Sequence, residues 1–265
     1  MDGDVLALPG AAVLGLLLGS FLNVCIIRLP NESAKDRSLI HPPSSCPKCK
    51  RRIEWRDNIP IVSWLLLRGK CRSCHAPISR QYPIIEALVG LLWVSAVWTY
   101  GATAHAIAAG VFGTNLLAIA IIDWRHKIIP DELNYGGLVL GLALSLAGGA
   151  AGFVQAVLGA AVGWGLLWLV RVTGGWLLKQ EAMGWGDIKM MAMVGAFVGW
   201  KNVLLTVFVG ALAGSVVYVP LLLGDLRSVR RREIPFGVFL AIGAAITFVA
   251  GDSIISWYLQ FVQGS

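Results

Sequence analysis

The sequence predicts an all-α polytopic membrane protein with about eight transmembrane helices and a small polar insertion after the first helix. Two properties of the 265-residue chain indicate this class: 57% of the residues are apolar and only 14% are charged, whereas soluble domains average about 25% charged residues. The mean hydropathy of +0.71 agrees. The third observation is a series of long apolar runs, since a helix needs about 20 apolar residues to cross a bilayer.

The apolar runs define the candidate spans. We place them at residues 5–27, 83–100, 104–122, 134–149, 153–171, 184–200, 202–223 and 235–255. The first run has an acidic start and is too long for the apolar region of a signal peptide, so we expect it to be retained as a helix. The chain therefore divides into a first helix (1–27), an insertion (28–82) and a membrane core (83–265).

The positions of the basic residues predict the orientation of these spans. Twelve of the 22 Lys and Arg residues lie between Arg28 and Arg80, and most of the others flank apolar runs. If the N-terminus is outside, nearly all loop Lys and Arg fall on one side. These loops are 28–82, 123–133, 172–183 and 224–234, the last with Arg227, Arg230, Arg231 and Arg232. The opposite loops hold Lys201 alone, so the positive-inside rule places the basic set in the cytoplasm. The net charge of +7 is thus a topology signal, and we expect no nucleic-acid partner.

Two CxxC pairs in the insertion predict a zinc site. They are Cys46 with Cys49 and Cys71 with Cys74. Zinc prefers four thiolates in a tetrahedron, and each CxxC turn can supply two. Two disulfides are the alternative, but a cytoplasmic domain is in a reducing compartment. With four protein ligands the zinc would be structural and would hold together a domain too small for its own core. The fifth cysteine, Cys25, lies in an apolar run and is expected to be inert packing.

Two aspartates at the ends of apolar runs are the candidate catalytic residues. Asp123 ends the third span, and Asp187 begins the sixth within the segment GWGD. Charge at membrane depth is costly and marks a functional site by default. Both aspartates fall near the cytoplasmic edge at a similar depth, so we expect them to meet. Two adjacent carboxylates share a proton, one as general base and the other as general acid, as in aspartic proteases. Gly184 and Gly186 would let a substrate backbone approach closely.

The residues alone leave other interpretations of these aspartates open. Asp187 could interact with the dipole of its own helix. Asp123 could form an ion pair with Arg125 or Lys127. A metal site that joins Asp123 and His126 is a third hypothesis, although further ligands are missing from the segment.

Five ordered motifs give the chain a resemblance to a known family. They are GSFLNVCIIRLP (19–30), the cysteine-containing segment 46–86, DWRHKIIPDELN (123–134), GWGDIKMMAMVGAFVGW (184–200) and IPFGVFLAIG (234–243). Together they cover nearly the whole chain. The sequence resembles the bacterial type IV prepilin peptidases, the leader peptidase/N-methyltransferases of the GxGD aspartic protease group.

The resemblance implies roles for specific residues. Asp123 and Asp187 would be the catalytic pair, and the four CxxC cysteines would bind zinc. The enzyme would remove a short basic leader from prepilins or pseudopilins at the cytoplasmic face of the bacterial inner membrane. It would then methylate the new N-terminal residue with S-adenosylmethionine. The lipid bilayer is the other expected partner.

The methyltransferase half is less visible in the sequence. The chain has no Gly-rich βαβ motif for S-adenosylmethionine, so we expect this cofactor in or near the insertion and assign no residue to it. Glu54, Asp57 and Glu86 are acidic candidates, although ordinary ion pairs are the expectation for each. Trp55 is expected to be a core residue rather than a stacking surface.

Two other functions would fit parts of the pattern. A transporter would also have about eight helices, but it predicts internal repeats and binding groups near the midplane of the membrane. A membrane-tethered zinc-ribbon adaptor without catalysis would explain the insertion and leave Asp123 and Asp187 unexplained.

Overall fold

A computed structural model describes residues 2–179, 181, 183–224 and 235–263, and the described residues form helices and no β-strand. The helices are α1 (Asp2–Arg28), α2 (Ala34–Arg37), α3 (Val62–Leu66), α4 (Gln81–Tyr100), α5 (Ala104–His126), α6 (Asp131–Ser145), α7 (Gly149–Leu178), α8 (Trp185–Gly224) and α9 (Phe236–Gln263). Two 3-10 turns occur at Trp55–Asp57 and Leu146–Gly148. The four arginines of the last basic loop, and Ile234 of the last motif, lie outside the described residues.

Six continuous helical stretches are long and apolar enough to cross a membrane within the described parts of the chain. They are Leu6–Arg28, Gln81–Tyr100, Ala104–His126, Asp131–Leu177, Trp185–Pro220 and Phe236–Gln263. Two of these stretches each contain two of the predicted spans. The all-helical membrane fold is therefore confirmed, and the predicted number of spans depends on whether the chain reverses inside the two long stretches.

The stretch Asp131–Leu177 reverses between α6 and α7. A Cβ added to Gly141 would lie 2.8 Å from the Phe197 ring, and one added to Gly137 would lie 2.7 Å from Met193. The first half of α8 is therefore parallel to α6. In contrast, Gly159 faces Gly195 and Gly163 faces Met191, so α7 is antiparallel to the same segment. Hence α6 and α7 run in opposite directions.

The stretch Trp185–Pro220 reverses at Gly199. This residue has φ 74° and ψ 167°, a conformation that glycine adopts without steric cost. The second half of α8 is antiparallel to α9, because Gly210 packs against Leu240 and Asn202 against Gly251. Gly186 at the start of α8 and Gly237 at the start of α9 both pack against Ile129, so these two starts are neighbours and the two halves of α8 form a hairpin. Both long stretches thus contain two antiparallel helices.

The chain forms two compact units, Met1–Gly110 and Val111–Ser265. In the first unit, α1 and α4 are antiparallel and in backbone contact. A Cβ on Gly19 would lie 2.7 Å from the Cα of Glu86, and one on Gly15 would lie 2.9 Å from that of Gly90. The two glycines one helical turn apart allow this close approach, as in membrane helix pairs generally. Cys25 is buried in α1, as expected of a packing residue.

The second unit has the larger apolar core. It is formed by buried side chains of α5, α7, both halves of α8, and α9. Phe112 stacks on Phe197 with 4.6 Å between ring centroids and lies 5.2 Å from Phe248. These rings fill the end of the helices opposite to the aspartates.

Gly163→Ala is expected to destabilise the second unit. The added Cβ would collide with the carbonyl oxygen of Met191, so α7 and α8 would have to separate. Such overpacking costs about 1–3 kcal/mol, which would lower the thermal unfolding midpoint in detergent. Gly165→Ala is the matched control on the same helix, since its Cβ has no neighbour within 4 Å. Equal midpoints for the two variants would contradict the close helix contact.

Candidate active site and cysteine cluster

Asp123 lies one turn before the end of α5 and is buried. Its Oδ2 accepts a hydrogen bond of 3.2 Å from the backbone N–H of Val238, in the first turn of α9. Gly237 brings this backbone close, because a Cβ there would lie 2.9 Å from the same oxygen. The positive end of the α9 helix dipole therefore faces the carboxylate.

Asp187 lies in the first turn of α8 and is half-buried. The backbone N–H groups of Gly184 and of Asp187 itself are within hydrogen-bonding reach of its carboxylate. A side chain on Gly184 would crowd this carboxylate, since its Cβ would lie 3.1 Å from Oδ2. The segment before α8 thus wraps around Asp187, and glycine at position 184 leaves the carboxylate accessible.

The structure brings the two aspartates together at one end of the second unit. Ile129 lies between their backbones: a Cβ on Gly186 would be 3.0 Å from the Ile129 Cβ, and one on Gly237 would be 2.8 Å from its Cδ1. The two carboxylates are close enough to repel each other electrostatically. The three segments at residues 123–129, 184–187 and 237–238 therefore converge on one small region.

Two polar contacts hold the aspartate motifs against each other. Lys189, two residues after Asp187, donates to Asp131 with an Nζ–Oδ2 distance of 2.7 Å. The Asn134 amide donates to the carbonyl oxygen of Gly186 at 3.4 Å. Asp131 is the first residue of α6, and the sequence analysis did not identify its ion pair with Lys189. The opposite charges in the two motifs were the signal that could have revealed the pair.

Arg171 on α7 was missed in the sequence analysis and contacts the segment that leads to Asp187. Its guanidinium donates to the Met183 carbonyl oxygen and, at 2.8 Å, to Glu181, and it lies 4.8 Å from the centroid of the Trp185 ring. Arg171 thus contacts residues 181, 183 and 185 of this segment. The sequence feature that could have identified Arg171 is its position as a lone arginine near the end of an apolar run.

The surroundings of Asp123 bear on its other interpretations. Its carboxylate accepts a hydrogen bond from the α9 backbone, and Lys127 acts on it through a charge interaction without an ion pair within 4.0 Å among the described residues. His126 is exposed. Among the described residues, the group of metal-ligating side chains that could share an ion consists of the four cysteines and excludes Asp123 and His126.

The four cysteines of the insertion form a compact cluster. Their sulfur atoms all lie within 4.8 Å of one another, and those of Cys46 and Cys74 are 3.7 Å apart. A tetrahedral zinc site with Zn–S bonds of about 2.3 Å requires sulfurs about 3.8 Å apart. All four are free thiols. The arrangement therefore fits a tetrahedral metal ion and differs from the alternative of two disulfides.

The two CxxC turns have the same backbone conformation. The N–H groups of Lys50 and His75, each four residues after the first cysteine of its pair, donate to the carbonyls of Cys46 and Cys71. Both residues have positive φ, 58° and 56°. The repeated turn directs two sulfurs from each pair towards a common point.

The thiols of the cluster do not ionise equally. The backbone N–H of Cys49 lowers the pKa of the Cys46 thiol to about 6, and that of Cys74 lowers the pKa of Cys71. The N–H of Ala76 favours the Cys74 thiolate, but loss of water and the three neighbouring sulfurs raise the pKa of Cys74 to about 11. Four adjacent thiolates repel one another, so a bound cation suits this donor set.

The other candidates in the insertion differ from one another. Asp57 forms a bidentate ion pair with Arg72, the shortest distance being 2.6 Å, and Glu54 pairs with Arg56 at 2.7 Å. Both are the ordinary ion pairs expected. Trp55 is 82% exposed, so the expectation that it is a core residue was wrong. The Trp55 ring therefore contributes little to the packing of the domain that carries the cysteine cluster.

Two family models match most of the chain. Residues 13–100 match the bacterial peptidase A24 N-terminal domain, and residues 110–219 match the type IV leader peptidase family. No solved structure was found to match the chain.

Relatives described as "Prepilin leader peptidase/N-methyltransferase" align over almost their full length. The protein of Stutzerimonas stutzeri is 38% identical over 96% of this chain and 94% of its own length. That of Pseudomonas aeruginosa is 38% identical over 94% and 92%, and that of Neisseria gonorrhoeae is 36% identical over 96% and 95%. At this identity and coverage, the chain belongs to the type IV leader peptidase family.

Proposed function

We propose that this protein is a membrane-embedded aspartic endopeptidase that removes the leader from type IV prepilins or pseudopilins at the cytoplasmic face of the membrane. The observation that carries the proposal is the convergence of Asp123 and Asp187 at one end of the second unit, within electrostatic reach of each other. The names of the relatives support the substrate class.

The chemistry follows from a pair of carboxylates that shares one proton. The charged aspartate takes a proton from water, and the water oxygen attacks the carbonyl carbon of the scissile peptide. The protonated aspartate donates its proton as the bond breaks, so that the new amine leaves. Gly184 is proposed to leave room for the substrate backbone, since it has no side chain beside the Asp187 carboxylate. The space beside Gly186 is occupied by Ile129, so this glycine serves helix packing instead.

The proposed location is the bacterial cytoplasmic membrane, with the aspartates and the insertion on the cytoplasmic side. The distribution of Lys and Arg between the loops supports this orientation. A prepilin is itself a membrane helix with a basic cytoplasmic leader, so its scissile bond would lie at the membrane surface. Water must reach the carboxylates there, which requires a hydrated space between the helices.

We further propose that Cys46, Cys49, Cys71 and Cys74 bind a structural zinc ion, and that the enzyme methylates the new N-terminus. The sulfur distances support the zinc site. The names of the relatives support methyl transfer, for which S-adenosylmethionine would supply the methyl group. The insertion is the proposed place of this second reaction.

The peptidase proposal is tested with the purified protein in detergent and a full-length prepilin. Mass spectrometry should find one cut that releases the leader, and methylation of the new N-terminus when S-adenosylmethionine is added. No cleavage by the folded wild-type protein, over a panel of prepilins and pseudopilins, would contradict the proposal.

The two activities are expected to respond differently to mutation. Trp55→Ala removes an exposed ring from the insertion without disturbing packing. Loss of a stacking contact worth about 1 kcal/mol should lower N-methylation roughly fivefold while cleavage changes little. Trp257→Ala on α9 removes another exposed ring and should affect neither activity.

The converse variant is Asp187→Asn, which should still methylate a peptide that already begins at the mature N-terminus. Methyl transfer requires no pair of carboxylates. Both reactions are followed by mass spectrometry on one preparation. If folded Asp187→Asn protein cannot methylate the pre-cleaved peptide, the two sites are not separable, and the insertion would serve to hold the substrate.

The structure offers little support for a transporter or for an adaptor without catalysis. A transporter needs polar groups that line a path, yet the buried hydroxyls of Thr206 and Thr247 bond to each other at 2.6 Å. The Asn202 amide likewise bonds to Asp252 at 3.0 Å. Such pairs are typical of helix–helix contacts in membranes. An adaptor without catalysis still leaves the convergence of the two aspartates unexplained.

A further inference from the structure

The insertion exposes an apolar surface that the proposed reactions do not use. We call it the α3 face: Ile59, Val62, Leu65 and Leu66. Their exposed fractions are 43%, 49%, 60% and 78%. Val62, Leu65 and Leu66 are three and four positions apart, so they lie on one side of α3. A contiguous aliphatic surface of this kind normally marks an interaction site.

Two hydrogen bonds fix α3 to α4 and to the segment that precedes it. The backbone N–H of Ile61, just before α3, donates to Oε2 of Glu86 at 2.7 Å. Within α3, the indole N–H of Trp64 donates to the carbonyl oxygen of Ile78 at 3.3 Å. Glu86 is only 6% exposed and forms no ion pair within 4.0 Å with any described residue; Ser20 is its other hydrogen-bond partner. Among the three acidic candidates of the insertion region, Glu86 alone is buried and serves as a structural tie.

The tie to Glu86 sets the depth of α3. Helix α4 is a membrane-spanning stretch of 20 residues, which at about 1.5 Å per residue matches a hydrocarbon core of about 30 Å. Glu86 lies five residues into this helix, about 7 Å from its start. Helical side chains tilt towards the helix N-terminus, so the Glu86 carboxylate reaches back to the membrane boundary. The α3 face is therefore held at the layer where lipid headgroups meet acyl chains.

The backbone turn immediately before α3 is strained. Ile61 has φ 60° and ψ −52°, and the N–H of Val62 bonds to the carbonyl oxygen of Pro60. This is a γ-turn of the rare, strained form, and for a β-branched residue a positive φ is a clear outlier. Strained backbone persists only where the surroundings determine it. Here the turn lets α3 begin immediately after the bond to Glu86.

We infer that the α3 face binds the bilayer, with its aliphatic side chains among the acyl chains of the cytoplasmic leaflet. Arg68, exposed two residues after the end of α3, suits the anionic headgroups of that leaflet. The occupant is lipid rather than a partner protein because α3 is anchored at the depth of a membrane span. The consequence is that the insertion that carries the cysteine cluster is anchored to the membrane through α3 rather than on a free linker. This inference does not depend on the proposed catalytic activity.

The test replaces single residues of the full chain, reconstituted in phospholipid vesicles, with a diazirine-bearing amino acid. Leu65 and Leu66 are the test positions. Leu91, exposed in the middle of α4, is the lipid-facing reference, and Lys48, exposed in the first CxxC turn, is the water-facing reference. All four positions are exposed, so the replacements leave packing intact; circular dichroism verifies the helix content.

After irradiation, mass spectrometry counts lipid adducts at each position. We expect lipid adducts at Leu65 and Leu66 about tenfold above those at Lys48 and within a few-fold of those at Leu91. Glu86→Ala, which removes the tie, should lower the adducts at Leu66 several-fold without changing those at Leu91. Lipid adducts at Leu66 no higher than at Lys48 overturn the inference. Adducts to a protein, including added prepilin, also overturn it, because they assign the face to a protein partner.

Discussion

Asp123→Asn and Asp187→Asn are each expected to abolish prepilin cleavage, with a loss on the order of 10³-fold or more. The amide has the shape of the carboxylic acid but cannot exchange a proton with water or with the leaving amine. Because the two carboxylates act as one unit, either change alone should remove nearly all activity, and the double variant should be little worse. Cleavage is measured by mass spectrometry of the released leader.

The structure decides which controls suit this experiment. Asp131 is unsuitable because it pairs with Lys189 on the helix that carries Asp187. Glu132 lies beside it on α6 and is exposed, so Glu132→Gln should retain near wild-type cleavage. Both aspartate variants should keep the helical circular dichroism and detergent elution profile of the wild type. A folded single variant that cleaves at the wild-type rate would remove the dyad mechanism.

Cys46→Ser is expected to lower the metal content from about one zinc ion per chain to nearly none. Serine has the size of cysteine but is a poor zinc ligand, and the three remaining thiolates cannot close the tetrahedron. Among the described side chains of the insertion few apolar ones are buried, so little packing would replace the lost folding free energy. The backbone amides of the insertion should therefore exchange with deuterium faster, while those of the second unit are unchanged. Elemental analysis and hydrogen exchange measure the two effects.

Cys25→Ser is the matched control for this prediction. Cys25 is buried in α1 and outside the cluster, so its replacement should retain the zinc. Wild-type protein that contains no zinc would contradict the site. Intramolecular disulfides among the four cysteines, found by mass spectrometry under non-reducing conditions, would contradict it equally.

Hydropathy along the chain predicted the existence of the helices better than their ends. Pro130 precedes α6 and sets its start at Asp131, three residues before the predicted span. Helix α7 continues to Leu178, beyond the predicted end at residue 171, since Arg171 lies within the helix and its side chain contacts Glu181, Met183 and Trp185. Connections of two or three residues carry little polarity, so the hydropathy pattern alone cannot locate the ends beside them.

The sequence analysis named the residues of the candidate site but not the groups that surround them. A charged residue in an apolar run is conspicuous, and so are paired cysteines, which is why Asp123, Asp187 and the cluster could be named in advance. The backbone N–H of Val238 that faces Asp123 could not be identified, since every residue carries such a group. The exposed position of Trp55 was likewise invisible, because its amphipathic ring suits both a core and a surface.

By itself, the sequence determined that the chain is a bundle of membrane helices with a cysteine-rich insertion. In lipid, each segment must satisfy its own backbone hydrogen bonds, so a local apolar run is sufficient to specify a helix. Only the tertiary structure decided which helices meet. The reversal at Gly199, the convergence of Asp123 with Asp187 and the bond from Ile61 to Glu86 all join residues that are distant in sequence or depend on backbone conformation. Such contacts arise from the packing of several helices at once, and no local pattern in the chain encodes them.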